Sequence, residues 1–349
     1  MASTYLNTLF VQSDGAHVRL DHDTLRVEHQ GEKLLQIPLQ QLGAVVLFGG
    51  CSITPQAMRR CVVENRQVVF LDYAGRFMCR VVGPTSGNVL LRLAQYRVHN
   101  HEYERLSLAR SIVAGKIRNS RNTLLRGARD SRDQHTQMRL RSAADALLRA
   151  LESAIAASTL DELRGCEGDA GREYFGAFPG LLTVDSAEFA FRTRSRRPPR
   201  DRMNAALSFV YSLLVNDTVS ALEGVGLDPQ VGMLHGIRPG RPSLALDLAE
   251  ELRSCLADRL VLTLVNRRQL KPEHFEVRDS VGGSTLLNEE GRRLVLRAYQ
   301  ERKRDFVRHP LLKNKVPFGY VPHLQGRLFA RCLRGDVPDY PPYIHGSAA

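Results

Sequence analysis

No two of the six cysteines, Cys51, Cys61, Cys79, Cys166, Cys255 and Cys332, form a Cys-x-x-Cys pair. Scattered in this way, they argue against a zinc site and against a disulfide framework, and they read as free thiols. Long apolar runs are missing as well. No stretch approaches the ~18 consecutive apolar residues of a membrane span, so nothing is expected to cross a bilayer. The opening residues, MASTYLNTLFVQSDG, lack the basic start and apolar run of a signal peptide, and a cytoplasmic protein is expected. No internal repeat of fixed period is visible.

Acidic residues are outnumbered. Lys and Arg total 49 against 37 Asp and Glu, which leaves a net charge of +12 and a pI near 9.7. Excess positive charge favours polyanions, through attraction and counterion release. Arg192, Arg194, Arg196, Arg197, Arg200 and Arg202 crowd into one short stretch. Arginine grips phosphate with a planar fork that lysine lacks, although the same stretch also fits a solvated linker. The 349 residues, 43% hydrophobic and 25% charged, are enough for two domains and a sizeable core.

What is present divides the chain in two. Up to about residue 85, short apolar runs alternate with Asp/Gly turns, as at Leu9-Phe10-Val11 before Ser13-Asp14-Gly15, the pattern of hairpins. Val45–Phe48 and Val68–Leu71 read as buried strands, with a strand at 76–82 after them. Between the two, Thr54 caps and Pro55 opens a short helix at about 55–64. Gly83 to Gly87 reads as a linker. Beyond it the pattern is helical: a helix opening at Leu90, a long basic segment 105–132, then 136–157, 159–178, 202–223, 243–264, 288–306 and 322–334. Proline-containing stretches at 185–200 and 307–321 interrupt it, and Pro341 to Ala349 is expected to be a loose tail. The expected fold is therefore α+β: a β-rich domain over 1–86 and a larger all-α domain over 87–349.

Two segments carry chemistry. On the helix 159–178, opened by a Thr159/Glu162 capping box, steps of about 100° put Leu163, Cys166, Ala170, Tyr174 and Phe178 on one face, with Glu167 at its centre. A carboxylate on an apolar face needs a partner or a metal. Arg164, one turn earlier, would make a structural ion pair; a ligand or acid/base role is the other reading. In HGIRPGRPSLALDLAEE, residues 235–251, a tight basic loop leads into a helix with Ser243 as candidate N-cap. Asp247 and Glu250 share one face of it, opposite Leu244, Leu248, Leu252 and Leu256. Asp247, Glu250, Glu251 and Asp258 read most simply as its solvated side, and His235 as an ordinary loop histidine. Taken together, two carboxylates and an imidazole also form an O/N ligand set for Mg²⁺ or Mn²⁺.

Four segments, GCEGDAGREYF, RRPPRDRMNAALSFVYSLL, LHGIRPGRPSLALDLAEELR and HLQGRLFARCLRGDVPDYPPYI, resemble the CRISPR-associated endonuclease/integrase family, the universal first Cas protein. The last of them is similar to type I-C members. The resemblance spans most of residues 90–340 and is looser in the β-rich region. It implies an N-terminal β domain that dimerises the protein and a helical catalytic domain. It makes Glu167, His235 and Glu250 the ligands of one Mg²⁺ or Mn²⁺, with Asp247 as an adjacent catalytic acid that could trade roles with Glu250. Arg164 would steady Glu167 or a phosphate. Arg238 and Arg241 become candidates for gripping the DNA backbone, Asn204 and Tyr174 for contacting DNA near the site, and Lys116, Arg118 and Arg121 weaker ones, because a charged helix is usually a solvated face. The implied activity inserts short DNA duplexes as new spacers, each 3′-OH attacking a phosphodiester of the repeat. The implied partners are double-stranded DNA, a second copy, the second universal Cas adaptation protein in a heterohexamer, and a Cas4-type nuclease. No ATP is required, in keeping with the absence of a G-x-x-x-x-G-K-[ST] loop. A non-catalytic nucleic-acid scaffold would lack a ligand, yet all three positions are filled. A general repair nuclease would share the site, and cleavage of a Holliday junction without a partner protein would favour it. No RNA-binding motif is legible.

Overall fold

The computed structural model describes the chain except residues 1–6, 65, 74, 76, 84–88, 185–187, 196–197, 279–282 and 347–349. The expected boundary between 86 and 87, most of the expected linker, and Arg196 and Arg197 lie outside the described residues.

The β-rich part runs β1 (Thr8–Val11), β2 (His17–Asp21), β3 (Thr24–His29), β4 (Glu32–Pro38), β5 (Ala44–Phe48), β6 (Ser52–Ile53), α1 (Pro55–Val63), β7 (Gln67–Leu71) and β8 (Phe77–Val81). Two four-stranded sheets result, ordered β1-β5-β7-β8 and β4-β3-β2-β6. In the first, β1, β5 and β7 are parallel and β8 closes the edge antiparallel. Thr54 caps α1 as expected, its hydroxyl accepting from Ala57 N at 3.2 Å.

The apolar run of β5 has a physical cause. Val45, Leu47 and Val68 point into the core shared with the second sheet. Val46, Phe48, Val69 and Leu71 point the other way, into the helical core. A sheet covered on both faces needs apolar residues at successive positions, not alternate ones. The Phe48 ring stacks on Phe209 with centroids 6.2 Å apart, so the β-rich part is fused to the helical part through this sheet.

The helices are α2 (Val89–Asn100), α3 (Glu102–Asp130), α4 (Gln134–Ala156), α5 (Leu160–Ala177), α6 (Arg202–Val225), α7 (Ser243–Leu252), α8 (Arg259–Asn266), α9 (Glu289–Arg304) and α10 (Val321–Leu333). Between α7 and α8 the helix widens into a π turn, Arg253–Asp258. The helical part also holds two antiparallel ribbons absent from the sequence reading, β9 (Phe275–Arg278) with β10 (Ser284–Leu287) and β11 (Phe306–Arg308) with β12 (Lys315–Pro317). Strands of three or four residues are too short to show a periodicity of their own. Among the described residues one helix, α6, is long and apolar enough to cross a membrane, and 67% of that stretch is buried inside the protein.

Three expectations are corrected. Pro342 and its neighbours are not a loose tail: Tyr340 and Tyr343 are fully buried and the described residues to 346 pack against α3 and α7. Ser243 is not the N-cap of α7. Pro242 holds that position, and the Ser243 hydroxyl donates to Gly236 O at 2.9 Å, folding the basic loop onto the helix. Asp247, Glu250, Glu251 and Asp258 are not a solvated face, since none is more than 3% exposed. α7 and the π turn are enclosed by α3, α6, α10 and the C-terminal segment, so both faces there are interior.

Candidate metal centre

Each of the four buried acids is explained by what it holds. Asp247 spends its acceptor capacity on the loop before His235. Oδ2 accepts from Met233 N at 2.6 Å and Leu234 N at 3.0 Å, and Oδ1 accepts from His235 N at 3.0 Å and His235 Nδ1 at 2.6 Å. The carbonyls of the same loop are held by side chains from other helices. Gln95 donates to Val231 O, His99 to Gly232 O, Arg105 to Met233 O and Arg164 to Leu234 O, at 2.7–3.2 Å. A segment without secondary structure can be interior only if its backbone groups are satisfied. Here side chains of α2, α3, α5 and α7 satisfy them. Gly232 is required by this packing, because a Cβ there would lie 2.8 Å from Asp247 Oδ2 and from Ser243.

The consequence reaches His235. With Nδ1 turned to Asp247 at 2.6 Å, Nε2 is the ring nitrogen left to face a metal ion, the orientation that a second carboxylate gives a ligating imidazole. Asp247 therefore acts on the site through His235, and the exchange of roles with Glu250 has no free carboxylate oxygen to support it.

Glu167 and Glu250 meet across one cation. Lys116 of α3 forms an ion pair with Glu167 Oε1 and lies 2.8 Å from Glu250 Oε2, and its side chain is 14% exposed. Glu250 Oε1 is 2.6 Å from Arg253, whose guanidinium lies 5.0 Å over the Tyr211 ring. Oε2 accepts no well-formed hydrogen bond, so charge alone engages it. Burial would push the Glu250 carboxyl up, but Arg253 and Lys116 beside it bring it down to about 2. Burial likewise works against the Lys116 ammonium, which Glu250 and Glu167 hold above the ordinary lysine value. The solvated-helix reading of Lys116 is thus corrected: it is the partner that Glu167 was expected to find in Arg164. Arg164 pairs instead with Asp161 at 2.7 Å and with Leu234 O. Arg118 is exposed, and Arg121 donates to Ala144 O at 3.2 Å on α4.

Arg164, Glu167, Leu234, His235, Gly236, Arg238 and Arg241 line an open cleft of about 470 Å³. Tyr174 and Asn204 are not presented to it. The Tyr174 hydroxyl donates to Asp258 Oδ2 at 2.8 Å, and Tyr211 donates to Oδ1 at 2.6 Å. Burial pushes the Asp258 carboxyl up to about 6, against these two hydroxyls and the nearby Arg194 and Arg253. Asn204 is fully buried, accepting from Arg194 and Ser195 N and donating to Thr193 O and Asp201, and it organises the turn into α6. Gln95, His99 and Arg105 had no signal in the sequence, because their partners are backbone atoms more than a hundred residues away.

The donor set suits a divalent ion: two carboxylates and an imidazole from three segments, with one buried carboxylate oxygen bound only by a cation's charge. Among the described residues no three His, Cys, Asp or Glu side chains converge into a metal-holding cluster, and the Lys116 ammonium stands between two of the donors.

Residues 9–301 match the family model described as CRISPR associated protein Cas1. A CRISPR-associated endonuclease Cas1 of Moorella thermoacetica is 48% identical over 97% of this chain and 98% of its own length. A Cas4 exonuclease/Cas1 endonuclease fusion of Geobacter sulfurreducens is 35% identical over 96% of this chain and 60% of the fusion. A Cas1 protein from Thermotoga maritima superposes with a TM-score of 0.81 at 25% identity, covering 98% of this chain and all of that one. The fold is shared with a chain of a Cas6-RT-Cas1–Cas2 complex, with a TM-score of 0.84 at 24% identity over all of this chain and 37% of that one. It is shared also with a casposase bound to integration product, with a TM-score of 0.82 at 21% identity over 98% and 96%.

Proposed function

The chain belongs to the Cas1 family of CRISPR-associated proteins, and from that premise we propose that it is a metal-dependent DNA endonuclease and integrase of CRISPR adaptation. It inserts short duplexes as new spacers, a 3′-OH attacking a phosphodiester of the repeat. The observation that carries the reading is that Glu167 and His235, from separate segments, line one arginine-rimmed cleft, while Lys116 joins Glu167 to the buried Glu250 of a third segment. Under it, Glu167, Glu250 and His235 Nε2 hold one Mg²⁺ or Mn²⁺. Such an ion, when bound, polarises a phosphoryl oxygen and offsets the charge that builds up as the nucleophile attacks.

The remaining work falls to the chain itself. Asp247 keeps the His235 ring aimed, and Arg164 ties the His235 loop to the helix of Glu167. Arg238 and Arg241, on the rim, grip the flanking phosphates. The fused relative supports a Cas4-type nuclease and the neighbour's complex a Cas2-type partner in the assembly in which this chain acts, and the net charge of +12 supports double-stranded DNA as its substrate. Pairing of two copies through the β-rich part, type I-C membership and a cytoplasmic site of action complete the proposal.

The test is strand transfer of a short duplex into a supercoiled plasmid carrying a repeat, with the second adaptation protein and Mn²⁺. Wild type should transfer, and Glu167→Ala should bind DNA without transferring. Transfer retained by that variant would remove Glu167 from the chemistry.

A further inference from the structure

We propose that Lys116 is a built-in competitor of the metal ion: its ammonium bridges Glu167 and Glu250, and a divalent ion binds by displacing it. The inference rests on the reading of Glu167, His235 and Glu250 as ligands.

The geometry leaves an incoming ion little choice. Glu250 has two oxygens, and Arg253 holds Oε1 at 2.6 Å. The oxygen left for an ion is Oε2, which is the one 2.8 Å from Lys116 Nζ. Glu167 Oε1 meets the same ammonium. Lys116 and Arg253 together balance the two carboxylates. An ion added to that set would bring two surplus positive charges into an interior site, where like charges repel strongly. Withdrawing the ammonium relieves the repulsion and frees both oxygens at once. The lysine stem is flexible, and it has somewhere to go. Gly171 lines a small cavity beside Lys116, and nothing lies within 4 Å of where a Gly171 side chain would stand. Arg253 differs in this respect, being clamped between Glu250 and the Tyr211 ring.

A purely structural lysine and a competing lysine predict opposite signs. If Lys116 only props the site up, losing it disorders the ligands and weakens metal binding. If it competes, losing its charge tightens binding. The experiment is Mn²⁺ titration of the full-length protein, reading free Mn²⁺ by electron paramagnetic resonance. Wild type, Lys116→Met, Lys116→Gln, Lys116→Arg and His235→Ala are compared. The two neutral variants should bind Mn²⁺ about ten-fold tighter or more. Lys116→Arg, which keeps the charge, should bind no tighter than wild type, and His235→Ala should bind weakly. Thermal melting gives a second readout if a neutral variant folds poorly without metal: it should melt below wild type in chelator and gain more from Mn²⁺ than wild type does. Unchanged or weaker affinity in both neutral variants, with binding lost in His235→Ala, would overturn the competition and keep the ligand assignment. Mn²⁺ binding unaffected by His235→Ala would overturn both.

Discussion

Asp258 shows how a single carboxylate can be read for pH dependence. It sits behind the candidate site, buried, with Tyr174 and Tyr211 donating to its two oxygens. Its carboxyl is pushed from 3.8 up to about 6 by burial, so the folded chain keeps that proton over a range where the unfolded chain has lost it. Stability contributed by the protonated form is therefore present below about pH 4 and lost as pH rises through about 6. Asp258→Asn preserves the shape and removes the titration. In urea unfolding, the variant should gain about 2 kcal/mol relative to wild type between pH 4.5 and pH 7. A difference that stays constant across that range would mean that Asp258 is ionised throughout. Asp247 works differently. Its four contacts are all to N–H donors, so both oxygens are spent as acceptors and none is left for a metal.

Among the elements, the C-terminal segment has the largest effect for its length. Glu251, next to Glu250 on α7, accepts from Tyr340 hydroxyl and Tyr343 N at 2.8 Å and from Gln325 at 3.1 Å. Burial pushes its carboxyl up to about 8, against those three donors. Asn119 of α3 brackets the segment from the other side, donating to Tyr343 O and accepting from His345 N. Truncation after Asp339 strips partners from Glu251, Asn119 and Gln325 and opens a cavity where two tyrosines were. Unpaired buried polar groups and lost aromatic packing cost several kcal/mol together, so melting should fall by roughly 5 °C or more. Strand transfer should fall with it, because the segment braces the helix that carries Glu250. A truncated protein that melts like the full chain would show that the segment merely lies on the surface.

For the whole molecule, the net charge of +12 predicts DNA binding that weakens steeply with salt. The cleft arginines should contribute in a sequence-independent way. Arg238→Ala should weaken binding to all duplexes alike and reduce the slope of log affinity against log salt by about one, as read in fluorescence anisotropy titrations at several salt concentrations. A loss confined to repeat sequences would instead assign Arg238 to base recognition. At the same scale, one face of the first sheet of the β-rich part belongs to the helical core through Phe48, Val69 and Leu71.

The sequence by itself determined the α+β division, most helix positions, and the identity of Glu167, His235 and Glu250 as the groups to watch. Periodicity and caps are local, and the resemblance lay in contiguous segments. Several features were decided only in three dimensions. The solvated reading of α7 failed because an amphipathic pattern marks one face as apolar but is silent on what covers the other. Lys116 looked like one cation among many on a basic helix until α3 was packed against α5 and α7, which brings residue 116 to residues 167 and 250. Gln95, His99 and Arg105 grip backbone carbonyls, which have no residue identity, so no spacing could reveal them. Burial and long-range pairing are properties of the assembled chain. They turned a loop histidine and a row of acids into one electrostatically balanced site.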